Sequence, residues 1–459
     1  MRFFKKGILF LLALCIVFGC FACKGKESGE EETGQKTFPN LYFRFDYFVP
    51  EEKEDGYENG YVSLSNCDEL YAFEDVEAEI KIRGNSTADA DKKPYRIKFY
   101  EKRGMLGLND GAECRNWVLL ADAYDYSMSR NYFMFGLGKV FDNTYCTDRT
   151  YVNLYINDEY NGVYLLVEQQ QVNKNRVAVD ETNVEISADT GYFLEIDNGR
   201  ADGEAKVFDS EVTEENVDLD SDYYFEISYP KSKGSSSLRT RQIVIKSDLS
   251  MDRTVKFAQL KKISEYVQKA YDVMFNYEDE YTVRSFIDIP SAVDMFLINA
   301  FTTAKVGNLS EFMYVDFTAD EPRLHFGAPW DFDLDLNNYG SDNHSVETMQ
   351  SISGSANLFY PLSQCDWFMR EVRNRWTETN AKEEIGKMVS DLNPLNKNAT
   401  CNVYAGEFKK NYERWPVWGE KQVSFQSDRS EKFENHHDAM KDVYTWVSGR
   451  YDYICRYFM

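Results

Sequence analysis

Residues 328–336 read APWDFDLDL, a run in which three carboxylates alternate with apolar side chains. In an extended chain, side chains two positions apart point to the same face, so Asp331, Asp333 and Asp335 are expected to share one face of a strand. Carboxylates in an apolar segment are unfavourable unless a partner offsets their charge, and a hard cation held by oxygen ligands is a common partner. The run therefore predicts a metal site suited to magnesium and the phosphates that magnesium carries.

The acidic run lies where a strand-rich half of the chain meets a helix-rich half. Strands are predicted where apolar and polar residues alternate, and helices where apolar residues recur at helical spacing. The predicted strands include 41–48, 77–83, 95–100, 151–156, 163–168, 312–317 and 323–326. The predicted helices include 127–140, capped by Asp125 or Ser127, a long helix from 254, and 291–303. The fold class is therefore α+β, with a β-rich lobe at about 41–250 and a helical lobe at about 251–459.

The chain is acidic, with 77 Asp and Glu against 52 Lys and Arg among 459 residues, for a formal net charge of -25. Nucleic acids and anionic membranes both favour a basic surface, so the charge disfavours these partners. Two explanations of the acidity remain: the solubility of an exported protein, and attraction for basic substrates.

The N-terminus has the pattern of an export signal. Basic residues precede an apolar segment at 7–19 that is too short to span a bilayer, and small residues precede two cysteines. We expect a signal peptide with a lipobox at 1–22, with Cys20 or Cys23 lipidated; an ordinary signal peptide is the alternative. The charged segment 23–40 is expected to be a disordered tether, which makes the protein an extracytoplasmic, membrane-anchored bacterial lipoprotein.

The cysteine and histidine spacing disfavours a zinc site. Six cysteines follow the tether, none with CxxC spacing, and the four histidines form no HExxH motif. The spacing leaves open whether these cysteines pair or remain free thiols. They are Cys67, Cys114, Cys146, Cys365, Cys401 and Cys455.

Six segments in a fixed order resemble the family of spore-coat protein H (CotH) kinases, atypical relatives of protein kinases. They are IRGNS at 82–86, KKPYRIKF at 92–99, NWVLL at 116–120 together with Arg130 and Asn131, NDEYNGVYLLVE at 157–168, GYFLEID at 191–197 and WDFD at 330–333. The resemblance implies a protein kinase-like fold that uses ATP and Mg²⁺ to phosphorylate serines of exported or coat proteins. The expected partner is thus an exported, Ser-rich and basic protein substrate.

The resemblance also assigns roles to residues of the site. Asp331 is expected to be the catalytic metal ligand and Asp333 the second ligand, whereas Asp335 has no expected role and is interpreted as a solvated bystander. In kinases a strand lysine neutralises the phosphates, and Lys98 is the candidate here. Its alternative is a solvated cation on an exposed strand.

Two further residues have alternative interpretations. Arg83 precedes a Gly-Asn-Ser turn, and it either binds phosphate oxygens as a planar fork or holds that turn. Glu168 ends a strand where kinases place the adenine-binding hinge. It either contributes to cofactor binding or pairs with Arg130 for structure.

One departure from the family concerns the residue that accepts the hydroxyl proton. The family carries Asn-x-Asp before the last hairpin, but residues 302–311 read TTAKVGNLSE and contain no aspartate. Either Glu311 or Asn308 substitutes as a catalytic residue, or the transfer chemistry is lost. The alternative function is therefore a catalytically degenerate lipoprotein that acts as a binding scaffold in the cell envelope.

Overall fold

The computed structural model describes most of the chain after the N-terminal segment. The described residues are 36–197, 205–231, 235–276, 279–302, 310–340, 344–349, 358–378 and 380–459. The signal peptide, both candidate lipidated cysteines and nearly all of the tether lie outside these ranges. Within the ranges, no helix combines the length and the apolar character that crossing a membrane requires.

Seven strands of the N-terminal part close into a barrel in the order β1-β2-β3-β4-β5-β7-β6. Each neighbouring pair is antiparallel except β1 and β6, which are parallel. An odd number of strands cannot alternate in direction all the way round a closed barrel, so one parallel pair is required. The strands are β1 Asn40–Arg44, β2 Glu58–Ser65, β3 Phe73–Ile82, β4 Tyr95–Arg103, β5 Cys114–Leu120, β6 Arg149–Ile156 and β7 Glu159–Glu168.

The interior of the barrel is apolar because its strands alternate. Ile80, Ile97 and Trp117 point inward and are fully buried, whereas Lys81 and Arg96 lie on the outer face. The barrel therefore presents a row of cationic side chains on the outside of β3 and β4.

A second sheet of six strands has the order β13-β12-β8-β11-β10-β9. Its central strand β8 is buried along its whole length, so it packs on both faces. The strands are β8 Gly191–Ile196, β9 Ala205–Val207, β10 Asp222–Pro230, β11 Leu238–Ile245, β12 Glu311–Asp316 and β13 His325–Phe326. The hairpin β12–β13 comes from the helix-rich half of the sequence, and β12 pairs directly with β8.

The helices follow mainly after β11 and share one large apolar core with this sheet. They are α1 Arg130–Val140, α2 Arg253–Phe275, α3 Glu280–Phe286, α4 Ile289–Asn299, α5 Tyr360–Ser363, α6 Asp366–Glu378, α7 Ala381–Leu392, α8 Thr400–Val403, α9 Ala405–Arg414 and α10 His436–Tyr457. The predicted α+β class, with a β-rich N-terminal half and a helical C-terminal part, is confirmed. The six described cysteines are free thiols.

The acidic run 328–336 is not a strand, which corrects the prediction from its alternation. Asp331, Leu336 and Asn337 have positive φ angles of 68°, 47° and 70°, and two tight turns follow Phe332 and Asp335. The three carboxylates therefore do not share one face. Asp335 is fully buried rather than solvated, so its interpretation as a solvated bystander is wrong.

The start of α1 holds this loop in its irregular shape. Asp125 accepts hydrogen bonds from the backbone N–H groups of Ser129 and Arg130 and forms a buried ion pair with the Arg130 guanidinium. The Nε–H of Arg130 donates to the Asp335 carbonyl at 3.1 Å. The Asn131 side-chain oxygen accepts the N–H of Phe332 at 2.9 Å. The helix begins at Arg130, later than predicted, and its N-cap residue is Ser129, which makes no capping hydrogen bond of its own. Asp125 instead accepts the N–H groups at the start of α1 from four residues before the N-cap, and the first turn of α1 holds the loop at two points.

Replacing Asp125 by Ala is expected to lower the free energy of unfolding by about 3–5 kcal/mol, because it removes the closer partner of the buried Arg130 charge and leaves the longer ion pair with Asp442 at 3.7 Å. Urea denaturation of the purified protein measures the change. The control is Asp142→Ala, whose carboxylate is 77% exposed beside Arg375 and should contribute less than about 1 kcal/mol. Equal effects of the two changes would contradict the role given to the buried pair.

Candidate active site

A cleft with two adjoining cavities of about 790 and 340 Å³ lies between the outer face of the barrel and the second sheet. The two cavities share five lining residues, which mark the point where they meet. These residues are Arg83, Arg96, Glu195, Lys246 and Trp330. Cavities of this size are large enough to enclose a small-molecule ligand.

The barrel wall of the cleft is cationic. Arg96 points outward from β4, and Arg83 follows the last residue of β3, so both guanidinium groups reach the junction of the cavities. Within the described structure, the Nε atoms of both arginines are buried without a hydrogen-bond partner. Burial, and then the neighbouring charge of Arg96, lower the pKa of Arg83. An anion bound at this point would accept hydrogen bonds from the unpaired Nε atoms and would offset the repulsion between the two arginines.

The turn after Arg83 requires glycine at position 84. Gly84 has a φ angle of +99°, and a Cβ atom there would collide with the Thr87 hydroxyl oxygen. Residues 84–87 line the smaller cavity immediately after Arg83. The backbone of the turn thus comes close to whatever occupies that cavity.

Lys98 lines the larger cavity but is engaged on the barrel surface. Its ammonium group pairs with Glu79 at 2.7 Å and lies over the Tyr57 ring, and its side chain is 43% exposed. Arg96, two positions earlier on the same face of β4, is closer to the junction of the cavities and has an unsatisfied Nε. The structure therefore favours Arg96 over Lys98 as the cation of this strand that meets an anion.

The opposite wall comes from the second sheet and is mainly acidic. Glu195 and Asp197, two positions apart in and after β8, both line the smaller cavity, and Glu195 pairs with Lys246 at 3.0 Å. None of these three residues was predicted to be a site residue. The alternation within residues 191–197 was the signal that could have placed Glu195 and Asp197 on one face.

The acidic loop completes the smaller cavity with Asp331 and Asp333. The Ser310 hydroxyl donates to Asp331 at 3.3 Å. Partial desolvation inside the cleft raises the pKa of Asp331, whose side chain is nevertheless exposed. Asp333 is buried, and burial followed by the charge of Asp331 raises its pKa well above the usual range. A buried carboxylate that is repelled by a second carboxylate at the cleft surface is a site that a bound cation would stabilise.

The chemistry of this donor set fits Mg²⁺. The described residues contain no group of three His, Cys, Asp or Glu side chains that could hold a metal ion. Magnesium is usually held by one or two carboxylates, with phosphate oxygens and water as its other ligands. Asp331 and Asp333 therefore suit an ion that arrives with a phosphate-bearing ligand.

Glu311 does not line either cavity. Ser310 and Phe312 do, so Glu311 points to the other face of β12, where its charge interacts with those of Arg241 and Asp335. Burial raises the pKa of Glu311 to about 8. This placement corrects the expectation that Glu311 substitutes as the catalytic carboxylate facing Asp331. Its alternative, Asn308, lies outside the described residues.

Glu168 is also turned away from the cleft. It is fully buried and pairs with Arg176 at 3.2 Å, and it accepts hydrogen bonds from the Asn109 amide and the Asp148 N–H. Its carboxylate is therefore unavailable to a cofactor, which corrects the expected hinge contact. The alternative pairing with Arg130 is wrong too, because Arg130 pairs with Asp125.

A cationic wall that faces two neighbouring carboxylates, one buried and one exposed, defines a cleft for an anionic ligand together with a divalent cation. The family model of the CotH kinase protein matches residues 80–454, which is most of the chain. The protein therefore belongs to the CotH kinase family. No curated protein matches the sequence.

Replacing Glu311 by Gln is expected to change how stability depends on pH. Glu311 has a pKa of about 8 in the folded protein and about 4.5 in the unfolded chain. Between these pH values the unfolded chain is ionised while the folded protein keeps the proton. The wild type therefore loses stability as the pH rises from about 4.5 to about 8. The Gln variant lacks this loss and should gain on the order of a few kcal/mol over the wild type by pH 9.

Urea denaturation of both proteins at pH 5, 7 and 9 measures this difference. Comparing wild type with variant at each pH cancels the contribution of all other titrating groups. A constant difference across the range would contradict the buried, protonated state of Glu311.

Proposed function

We propose that the protein is an ATP- and Mg²⁺-dependent protein serine kinase with an atypical protein kinase-like fold. Membership in the CotH kinase family supports ATP-using phosphotransfer as the reaction. The observation that carries the proposal is that two arginines, whose Nε atoms are buried without a hydrogen-bond partner among the described residues, lie across one cleft from two carboxylates, the buried Asp333 and the exposed Asp331. Phosphoryl transfer needs this combination, since its catalysis is mostly positioning and charge neutralisation.

In this proposal, each wall of the cleft has one task. Arg83 and Arg96 bind and orient the phosphate oxygens through charge-assisted hydrogen bonds, and Trp330 covers the junction and excludes water. Asp331 and Asp333 hold the metal ion. When bound, Mg²⁺ supplies neutralisation of the charge on the phosphate oxygens.

The chain departs from its family at the aspartate that accepts the hydroxyl proton. Glu311 faces away from the cleft, so it does not replace that residue. General-base assistance is worth about 10²- to 10⁴-fold, which a kinase can lose while still binding its nucleotide. We therefore expect tight nucleotide binding with slow transfer.

The proposed substrate is an exported, Ser-rich protein, and the proposed location is the outer side of a bacterial membrane. The support is the signal-like segment at 1–22, with a lipid anchor on Cys20 or Cys23, and the acidity of the chain, which attracts basic substrates. The mass of the mature N-terminal peptide distinguishes a lipid on either cysteine from ordinary signal cleavage.

Replacing Asp331 by Ala is expected to abolish the rise in melting temperature that MgATP produces in the wild type, because the metal ion loses its principal ligand. Thermal unfolding with ATP, in the presence of Mg²⁺ or of a chelator, measures this effect. Asp320→Ala, which removes an exposed carboxylate in the β12–β13 turn, is the matched control and should keep the full shift.

Three outcomes of this experiment separate the alternatives. A wild type without any shift would contradict ATP binding itself, and an Asp331→Ala variant with the full shift would contradict the metal site. Binding without transfer of labelled phosphate to the protein or to a basic Ser-rich protein would favour the scaffold function.

Arg96→Ala and Lys98→Ala are expected to differ, although both remove a cation from the same face of β4. Loss of Arg96 should weaken MgATP binding about 10- to 100-fold, since a charge-assisted hydrogen bond contributes about 1.5–3 kcal/mol. Loss of Lys98 should weaken it less than about threefold, because an exposed ion pair with Glu79 contributes little. Isothermal titration calorimetry measures both; the reverse order would return the phosphate-binding role to Lys98.

A further inference from the structure

The far side of the larger cavity is formed by the segment that follows β7, residues 169–172. Gln170 in this segment is 6% exposed, and both its amide nitrogen and its amide oxygen are buried without a hydrogen-bond partner among the described residues. A buried amide without partners is unfavourable, and such groups are rare in folded proteins. A cavity-lining amide without a protein partner is suited to form hydrogen bonds with a bound ligand.

The neighbouring glutamine in the segment is occupied. The side-chain oxygen of Gln171 accepts hydrogen bonds from the Asn116 amide at 2.9 Å and from Arg176 at 3.2 Å. These contacts serve the protein itself. In Gln170, by contrast, a donor and an acceptor lie side by side and neither is used.

The segment around Gln170 is held rigidly from behind. Arg176 pairs with Glu168 through Nε and donates from Nη1 to the Gln169 carbonyl at 3.0 Å. Glu168 therefore acts as a positioning residue: it fixes Arg176, which fixes the backbone next to Gln170. A pre-positioned donor and acceptor lose little conformational entropy when a ligand binds.

The two ends of the cleft differ in chemistry. The cations Arg83, Arg96 and Lys246 line both cavities and so lie at their junction. The Gln170 segment lines only the larger cavity. The larger cavity is also lined by the charged residues Lys98, Glu181 and Asp248, and Val172 and Phe312 add apolar surface to it. A flat group with a hydrogen-bond donor and acceptor on one edge suits the Gln170 side of the larger cavity, while an anionic group suits the junction.

We propose that Gln170 recognises the base of the bound nucleotide. Its amide oxygen accepts from the exocyclic amine of adenine, and its amide nitrogen donates to the adjacent ring nitrogen, a bidentate pairing that suits glutamine and adenine. This inference rests on the proposed function, because it assigns the base of the same nucleotide whose phosphates meet Arg83 and Arg96. Base, phosphates and metal ion then follow one another along the cleft.

Two substitutions of Gln170 test this assignment. Gln170→Leu removes both polar atoms and should weaken MgATP binding at least about tenfold, without improving MgGTP, because adenine then faces an apolar side chain. Gln170→Glu presents acceptors only, which match the two N–H donors on the guanine edge but not adenine. This variant should therefore bind MgGTP at least as tightly as MgATP.

The measurement is calorimetric titration of wild type and variants with MgATP, MgGTP and Mg-tripolyphosphate. Tripolyphosphate, which lacks a base, should bind all three proteins with similar affinity. Gln364→Glu, which adds the same charge at an exposed position outside the cleft, should behave as wild type. Melting temperatures without ligand show that each variant is folded; the Leu variant should be at least as stable as the wild type, since it replaces an unpaired buried amide.

The outcomes separate this inference from the proposed function. If the wild type binds MgATP but both Gln170 variants keep its affinity and its preference between bases, the assignment of Gln170 is overturned and the function stands. If the wild type binds no nucleotide, both are overturned. Similar wild-type affinity for MgATP and Mg-tripolyphosphate would likewise overturn the role of Gln170, since the base would then contribute nothing.

Discussion

The buried ion pair between Asp125 and Arg130 is the interaction on which the cleft depends. It fixes the first turn of α1, and that turn holds the acidic loop through the Asp335 carbonyl and the N–H of Phe332. Between these two points lies Asp333, and just before them lies Asp331 with its positive φ angle. A loop with this backbone shape persists only where its surroundings determine it, and here the surroundings are the first turn of a helix.

The electrostatics of the cleft are unfavourable in the free protein on both walls. Arg83 and Arg96 repel each other on the barrel, and Asp331 and Asp333 repel each other in the loop. Stability elsewhere, in the barrel interior and the large shared core, offsets this cost. A ligand that carries phosphates and a divalent cation relieves both repulsions together. Binding is therefore expected to stabilise the folded protein more than either component alone.

Sequence patterns were sufficient to predict those helices and strands whose formation depends on the periodicity of neighbouring residues. Alternation located five of the seven barrel strands and missed β2 and β5. The polar residues before an apolar helical pattern indicated the start of α1 to within three residues, although the N-cap residue is Ser129 rather than Asp125 or Ser127. The acidic loop was misread because its shape comes from contacts with α1, 201 positions earlier in the chain for Asn131 and Phe332. Alternation placed Arg96 and Lys98 on one face correctly. Alternation could not show that Glu79, on the neighbouring strand, forms its ion pair with Lys98 rather than with Arg96.

Gln170 was missed for a related reason: it follows the end of a strand, where no periodic pattern applies, and only burial reveals its unused amide. The cleft as a whole assigns each part of a ligand to a separately supported element. The Glu168–Arg176 pair supports the Gln170 segment, the barrel supports the arginines, and α1 supports the carboxylates. The family's Asn-x-Asp is absent from residues 302–311, and in the described part of this segment Ser310 still donates to Asp331. Under the proposed function, loss of that motif therefore removes the residue that accepts the hydroxyl proton while the elements assigned to nucleotide binding remain.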